Sequence, residues 1–234
     1  PQTPNPKPQT PNPKPQTPRV EVMIEREKTL EDNPLVGKSD DEEAEEDILK
    51  LGGVKEDDLH APVIRTTISR VKWLTINLMT AFLASYVVSF FDATIEKIVA
   101  LAVLMPIVAG MGGNAGTQSM TVAVRALATN EISGANAWRV IGKETFVGAL
   151  NGSVFAIMIA VAAGVWFHSL GLGIVIGAAM LINLIVAGFF GASIPVLLDK
   201  IGIDPAVASS VFLTTMTDVI GFFAFLGLAT LFLL

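Results

Sequence analysis

The stretch from Met105 to Arg125 constrains this chain more than any other, because it is apolar enough to enter a membrane and yet carries glycines, amides and hydroxyls. The small and polar residues recur at steps of three and four positions: Gly110, Asn114, Thr117, Gln118 and Thr121. At that spacing they share one face of a helix. Such a face serves either close helix packing or the lining of a polar cavity. We favour the cavity.

Composition divides the chain into a hydrophilic arm and an apolar body. Hydrophobic residues make up 51% of the sequence, charged residues only 16%, and the mean hydropathy is +0.57, which is too apolar for an ordinary soluble domain. The net charge of -6 arises entirely within residues 1–66, and residues 67–234 are neutral. No cysteine is present, which excludes thiolate chemistry and disulfides. The acidic balance also argues against a nucleic-acid partner.

Four regions follow from this division. Residues 1–18 repeat PQTPNPK and form a Pro-rich linker, whose exactness is typical of an artificial segment. Residues 19–58 form an acidic arm containing DDEEAEED, interpreted as a solvated linker, with a cation-binding surface as the alternative. Residues 59–70 lead to the membrane, and residues 71–234 form the membrane domain.

Five apolar segments each reach the roughly 20 residues that cross a bilayer. They run from about Val71 to Phe91, Ile95 to Ala126, Phe146 to Phe167, Leu170 to Leu198 and Pro205 to Leu234. The predicted fold is therefore an all-α membrane protein with five transmembrane helices, embedded in the lipid bilayer of the cell (inner) membrane.

The distribution of basic residues predicts the orientation. Seven lie toward one side of the segments and only Lys97 lies toward the other; the seven are Arg65, Arg70, Lys72, Arg125, Arg139, Lys143 and Lys200. Because basic residues are enriched in cytoplasmic loops, we expect a cytoplasmic N-terminus and, after five spans, an external C-terminus.

Asp218 is the acid that lies deepest in a predicted span. It is thirteen residues from Pro205, about 20 Å along a helix, where a carboxylate costs at least ~2.5 kcal/mol. Ser210, Thr214 and Asp218 are spaced by four, and Thr217 and Gly221 are expected to flank the same face. An acid there serves as a cation ligand, a proton carrier or an interhelical contact. Oxygen ligands suit Mg²⁺ or Ca²⁺, and two chains would double the single charge.

Other polar residues receive structural interpretations. The amides of Asn77, Asn151 and Asn183 are predicted to form interhelical hydrogen bonds. Glu144, close to Arg139 and Lys143, is interpreted as part of a surface ion pair, with a place at the cytoplasmic mouth as the alternative. The GxxxG spacing of Gly148 and Gly152 predicts close helix packing.

The chain resembles the transmembrane domain of the MgtE family of magnesium channels and transporters. The likeness covers about residues 45–234 and rests on motifs in four places: Pro106 with Gly110-Met-Gly-Gly-Asn114-Ala-Gly116-Thr-Gln118, then Arg125, then Lys143-Glu144 with Val147-Gly148 and Asn151-Gly152, and finally Asp218.

The resemblance implies a homodimer with a central path for Mg²⁺ as the transported ion. Asp218 would be the main metal ligand, and Asn114 with backbone oxygens near Gly110 and Thr214 would line the same path. Secondary lining would come from Thr117, Gln118 and Ser210. The segment 59–70 resembles the end of the family's cytoplasmic plug helix.

Members of that family also carry cytoplasmic sensor domains, and only the sequence EEDILKLGGV at 45–54 resembles the exit from one of them. We therefore expect conduction with reduced inhibition by Mg²⁺. An enzyme is disfavoured, because an aspartyl protease needs a second deep carboxylate and the HExxH motif of metalloproteases is absent. An ion-coupled carrier that uses Asp218 as a proton or cation site is the main alternative, and a purely structural subunit is the other.

Overall fold

Six α-helices follow one another in the computed structural model, which describes residues 49–50, 52, 54 and 60–234. They are α1 (Val63–Ser89), α2 (Asp92–Lys97), α3 (Ala100–Ala128), α4 (Ala137–Trp166), α5 (Leu170–Lys200) and α6 (Pro205–Leu233). No strand occurs in the part of the chain that is described. The predictions for residues 1–18, for most of 19–58 and for residue 59 lie outside it.

Five of these helices are long and apolar enough to cross a membrane, which confirms the all-α fold with five spans. They contain 27 to 31 residues, about 40 to 46 Å at 1.5 Å per residue. That length exceeds the ~30 Å hydrocarbon core, so their ends reach the headgroup regions. Residues 63–70, assigned to the segment before the membrane, continue directly into the first span as part of α1.

Two predicted boundaries were wrong. The second segment was expected to run unbroken from Ile95 to Ala126, but Ile98 has φ −130° and ψ 77°, and this non-helical residue separates α2 from α3. The third was expected to begin at Phe146, but α4 begins at Ala137. Charged side chains end a hydropathy run without ending a helix, because they retain good helix propensity.

The central helix is α5, which packs against α4, α3 and α6. Seventeen of its residues are buried, distributed around the whole helix, as expected for a helix that is apolar on every side. In contrast, α1 packs against α6 and has one buried residue, Ala84. The two helices that carry the predicted site residues, α3 and α6, also pack against each other.

Glycines allow α4 and α5 to approach closely, as the GxxxG spacing predicted. A Cβ added at Gly148 would collide with the backbone oxygen of Leu184, and one at Gly152 would come within 3.1 Å of the Leu181 side chain. The contact is antiparallel, since Gly173 of α5 meets Ala160 farther along α4.

The long helices alternate in direction, so α3 and α5 end where α4 and α6 begin. We call this the basic end of the bundle, because Arg125, Arg139, Lys143 and Lys200 lie there. Here Asp204 caps α6 by accepting a hydrogen bond of 2.9 Å from the Ala206 N–H, and Pro205 occupies the first turn, where its missing N–H has no cost.

Candidate functional site

The candidate site lies on the antiparallel helices α3 and α6. One side chain of α5 contacts both helices and shows which of their residues lie at the same depth. Cβ atoms added at Gly112 and Gly221 would each lie 2.9 Å from Asn183 Cγ, so the two glycines occupy the same depth. Asn114 lies two residues beyond Gly112, about 3 Å toward the basic end. Asp218 lies three residues before Gly221, about 4.5 Å in the same direction. The structure thus brings Asn114 and Asp218 to similar depths.

The same pairing continues one turn toward the basic end. Gln118 follows Asn114 by four residues and Thr214 precedes Asp218 by four, so these two also share a level. The two helices stay in close contact here, because a Cβ at Gly116 would come within 2.8 Å of the Leu213 side chain.

The predicted site residues of α3 lie on its uncovered side. Gly110, Asn114, Thr117 and Gln118 are exposed, whereas the opposite side of α3 is buried against α5 and α6, with these residues: Leu101, Leu104, Val108, Gly112, Gly116, Ser119, Met120, Ala123 and Val124. On α6, Thr214 is exposed, and Ser210 and Asp218 are half-buried. All seven predicted residues are therefore accessible in a single protomer.

Ser210, Thr214 and Asp218 form a polar stripe on α6, and the two residues expected to flank it are placed differently from the prediction. Thr217 is fully buried, and its hydroxyl donates to the backbone oxygens of Leu213 and Thr214, both at 3.1 Å. Gly221 is buried against Asn183. The accessible stripe of α6 thus ends at Asp218, because α5 covers the same face of the helix at Gly221.

The hydroxyls of the exposed threonines on α3 and α6 donate hydrogen bonds to backbone carbonyls of their own helices. Thr117 donates to the Gly113 oxygen and Thr214 to the Ser210 oxygen, each at 2.8 Å. Donation uses the hydroxyl hydrogen and leaves the oxygen lone pairs free to accept. These hydroxyls can therefore still ligate a cation or a water molecule.

Asp218 has neither an ion pair nor a hydrogen bond to any residue that the structure describes. Within the same part of the chain, no three acidic, histidine or cysteine side chains come together as a metal site. One protomer therefore offers a single carboxylate, which neutral oxygen ligands can supplement.

The Asn183 prediction was correct. Its Nδ2 donates to the Val108 oxygen of α3 at 2.8 Å, and its side chain is fully buried. The Oδ1 atom is buried without a partner among the described residues. For Asn77 and Asn151 the prediction was wrong within the described protomer, which contains no hydrogen bond from either amide.

Glu144 was predicted to lie at the surface, and this prediction was wrong. It is 7% exposed, and its Oε2 accepts a hydrogen bond of 2.9 Å from the Ser119 hydroxyl of α3. The ion pair with Lys143 does exist, with 3.9 Å between Nζ and Oε1, but Lys143 itself is exposed. The signal that could have found the burial is the small-residue spacing of Gly188 and Gly191, which brings α5 against this region.

Comparison with known proteins identifies the family of the chain. Residues 105–228 match the family model MgtE, described as a divalent cation transporter. That range begins near the start of the polar stretch in α3 and extends beyond Asp218 in α6.

Curated relatives show the same likeness over a longer range. The chain is 37% identical over 193 residues to the magnesium transporter MgtE of Enterococcus faecalis, covering 82% of this chain and 43% of the relative. It is 36% identical over 194 residues to the Thermus thermophilus protein of that name, with coverages of 82% and 43%. For the Bacillus subtilis protein the values are 34% over 164 residues, 70% and 36%. The chain spans less than half the length of each.

Proposed function

The chain belongs to the MgtE family of divalent cation transporters, and we propose that it passes Mg²⁺ across the cell membrane through a homodimeric pore with Asp218 as the main cation ligand. The observation that carries this proposal is the carboxylate of Asp218, which lies inside a membrane-spanning helix without an ion pair to any described residue. Leaving a charge uncompensated at that depth costs at least ~2.5 kcal/mol. A divalent cation passing through the pore would supply the positive charge that compensates the carboxylate.

Neutral oxygens extend the path on either side of Asp218. The amide oxygen of Asn114 lies at a similar depth, and the amide oxygen of Gln118 and the hydroxyl oxygen of Thr214 follow one turn toward the basic end. At Gly110 an added Cβ would meet no atom within 4 Å, so this side of α3 is uncovered, and a carbonyl oxygen there keeps a second lone pair after its helical hydrogen bond. Because Mg²⁺ gives up its water reluctantly, contacts of this kind, with Ser210 and Thr117 as secondary lining, suit a largely hydrated ion.

A second copy completes the pore in this proposal. The accessible amides and hydroxyls of α3 and α6 lie on otherwise apolar helices, where contact with lipid is unfavourable. Two such surfaces facing each other across an axis would enclose the polar groups and supply two carboxylates. The basic end would face the cytoplasm, which places the N-terminus inside and the C-terminus outside.

The test is Mg²⁺ uptake into proteoliposomes by the full chain and by Asp218→Asn, which keeps the shape and removes the charge. We expect uptake to fall at least tenfold in the variant. Asp199→Asn is the matched control, because Asp199 is an exposed acid at the end of α5. Retained uptake in Asp218→Asn would refute the role of Asp218, and equal loss in both variants would refute its specificity.

An ion-coupled carrier is the second candidate, and the same unpaired carboxylate favours it, since a lone acid can also carry a proton. Imposing a pH or sodium gradient at fixed Mg²⁺ separates the two functions. A pore predicts initial Mg²⁺ flux independent of the gradient, once the membrane potential is clamped, whereas a carrier predicts flux that follows it.

A further inference from the structure

A half-open groove of about 280 Å³ lies between the start of α4 and the end of α5, on the basic end of the bundle. Its walls are mainly apolar, and its lining includes Trp138, Ile141, Phe189, Phe190, Leu197 and Lys200. Trp138 is 71% exposed and Leu197 is 60% exposed. All the predicted site residues lie on α3 and α6 and none lies on α4 or α5, so the groove is separate from the proposed pathway.

Among the described residues that line the groove, one is cationic: Lys200, whose ammonium lies in the last turn of α5. Lys200 is exposed, and no carboxylate of the described residues pairs with it. The remaining polar lining residue is Ser193, about two turns deeper along the helix. An apolar cleft with an unpaired cation at its outer end matches an amphiphile with an apolar tail and an anionic head.

Depth in the membrane supports the same occupant. Tryptophans concentrate at the level of the lipid headgroups, and Trp138 lies in the first turn of α4 beside the groove. Basic pockets between transmembrane helices bind the headgroups of anionic lipids. Lys200 is thus placed to contact a phosphate while the walls below contact a hydrocarbon chain.

We propose that this groove is a binding site for an anionic glycerophospholipid, with one acyl chain between α4 and α5 and the phosphate at Lys200. The site discriminates by charge: a zwitterionic lipid brings a quaternary ammonium close to Lys200, whereas phosphatidylglycerol does not. The proposal does not depend on transport, because it concerns the outer flank of the helix pair α4 and α5.

The experiment measures lipid retention on the purified full chain by native mass spectrometry. The probes are phosphatidylglycerol and phosphatidylcholine with identical acyl chains, together with glycerol 3-phosphate as the headgroup without chains. We expect phosphatidylglycerol to bind about fivefold more tightly than phosphatidylcholine, the effect of one basic side chain near a lipid surface. Glycerol 3-phosphate should not compete.

Three variants assign the effect to the groove. Lys200→Gln should abolish the preference, and Ser193→Leu, which adds bulk inside the groove, should weaken both lipids. Arg125→Gln is the matched control, because Arg125 is an exposed cation at the same end that does not line the groove, and its preference should equal that of the wild type.

Equal binding of the two lipids by the wild type would overturn the proposal, as would an equal effect of Arg125→Gln and Lys200→Gln, which indicates a diffuse surface charge. Competition by glycerol 3-phosphate would also overturn it, since the site would then recognise a free phosphate. Because Lys200 is exposed, its replacement tests the proposal even if Ser193→Leu fails to fold.

Discussion

Ser119 donates a hydrogen bond of 2.9 Å to the buried carboxylate of Glu144 and so joins α3 to α4 behind the proposed pathway. Ser119 lies on the covered side of α3, about 140° around the helix from the exposed Asn114. Gly188 and Gly191 bring α5 against the same place: an added Cβ at Gly191 would lie 2.9 Å from Ser119 Cβ. Three helices are therefore fixed together at this contact.

We expect Glu144→Ala to lower the free energy of unfolding by about 2 kcal/mol, because a hydrogen bond to a charged group is lost and the Ser119 hydroxyl is left buried. Glu144→Gln should cost less, since its amide oxygen can still accept from Ser119. The ion pair with Lys143 contributes little, because Lys143 is exposed and 3.9 Å away. Thermal unfolding in detergent measures each loss.

A double-mutant cycle with Ser119→Ala separates this hydrogen bond from the other effects of removing Glu144. Groups in direct contact show coupling energies of about 0.5 to 3 kcal/mol. Additive losses from the two substitutions would contradict the proposed link between α3 and α4.

Alanine substitutions at the adjacent residues Gly112 and Gly113 should have opposite effects on stability. Gly112→Ala should destabilise the protein by about 1 to 3 kcal/mol through overpacking, since the new methyl group would overlap the Asn183 amide. Gly113→Ala should be neutral or stabilising by up to about 1 kcal/mol, because its Cβ would meet no atom within 4 Å and alanine is the better helix former. Unfolding midpoints that fall equally would contradict the packing around Asn183.

The five spans and the polar side of α3 could be predicted from sequence, because both depend on periodicity within one helix. Hydropathy over about 20 residues identifies a span whatever it packs against. The spacing of Gly110, Asn114 and Gln118 likewise identifies one face without any tertiary information.

The burial of Glu144, Thr217 and Gly221 could not be predicted from the spacing within their own helices, because burial depends on which neighbouring helix covers a face; for Glu144 the only signal lies on another helix, in Gly188 and Gly191 of α5. The position of Thr217 next to Asp218 in the sequence is the same whether a neighbouring helix covers its side of α6 or leaves it exposed. Only the position of α5, with Asn183 at the level of Gly221, decides that the accessible stripe ends at Asp218. The metal-ligand roles of Asp218 and its neighbours stay predictions, as does the dimer.

Adjacent threonines on α6 test which hydroxyls face the path. Thr214 is exposed and Thr215 is buried, although each donates to a carbonyl four residues earlier, at 2.8 and 2.7 Å. Thr214→Val keeps the shape and removes oxygen lone pairs from the path, and we expect Mg²⁺ uptake per folded protein to fall about fivefold, the equivalent of one modest polar contact. Thr215→Val should leave uptake unchanged. Equal uptake by both variants would exclude the Thr214 hydroxyl from the path.

Asp204 combines two roles that substitutions can separate. One oxygen, Oδ1, caps α6 through the Ala206 N–H, and the other, Oδ2, lies 3.2 Å from Lys50 Nζ. Asp204→Asn retains a good capping residue and loses the ion pair, which at 41% exposure of the Asp204 side chain is worth no more than about 1 kcal/mol.

Asp204→Ala also removes the cap, at a further cost of about 1 kcal/mol. High salt should erase the difference between the wild type and Asp204→Asn, because exposed ion pairs are screened, but it should leave the difference between Asn and Ala intact. Thermal unfolding of the three proteins at low and high salt measures both terms. A wild-type advantage over Asp204→Asn that persists at high salt would mean that the carboxylate acts on α6 through its cap and dipole rather than through Lys50.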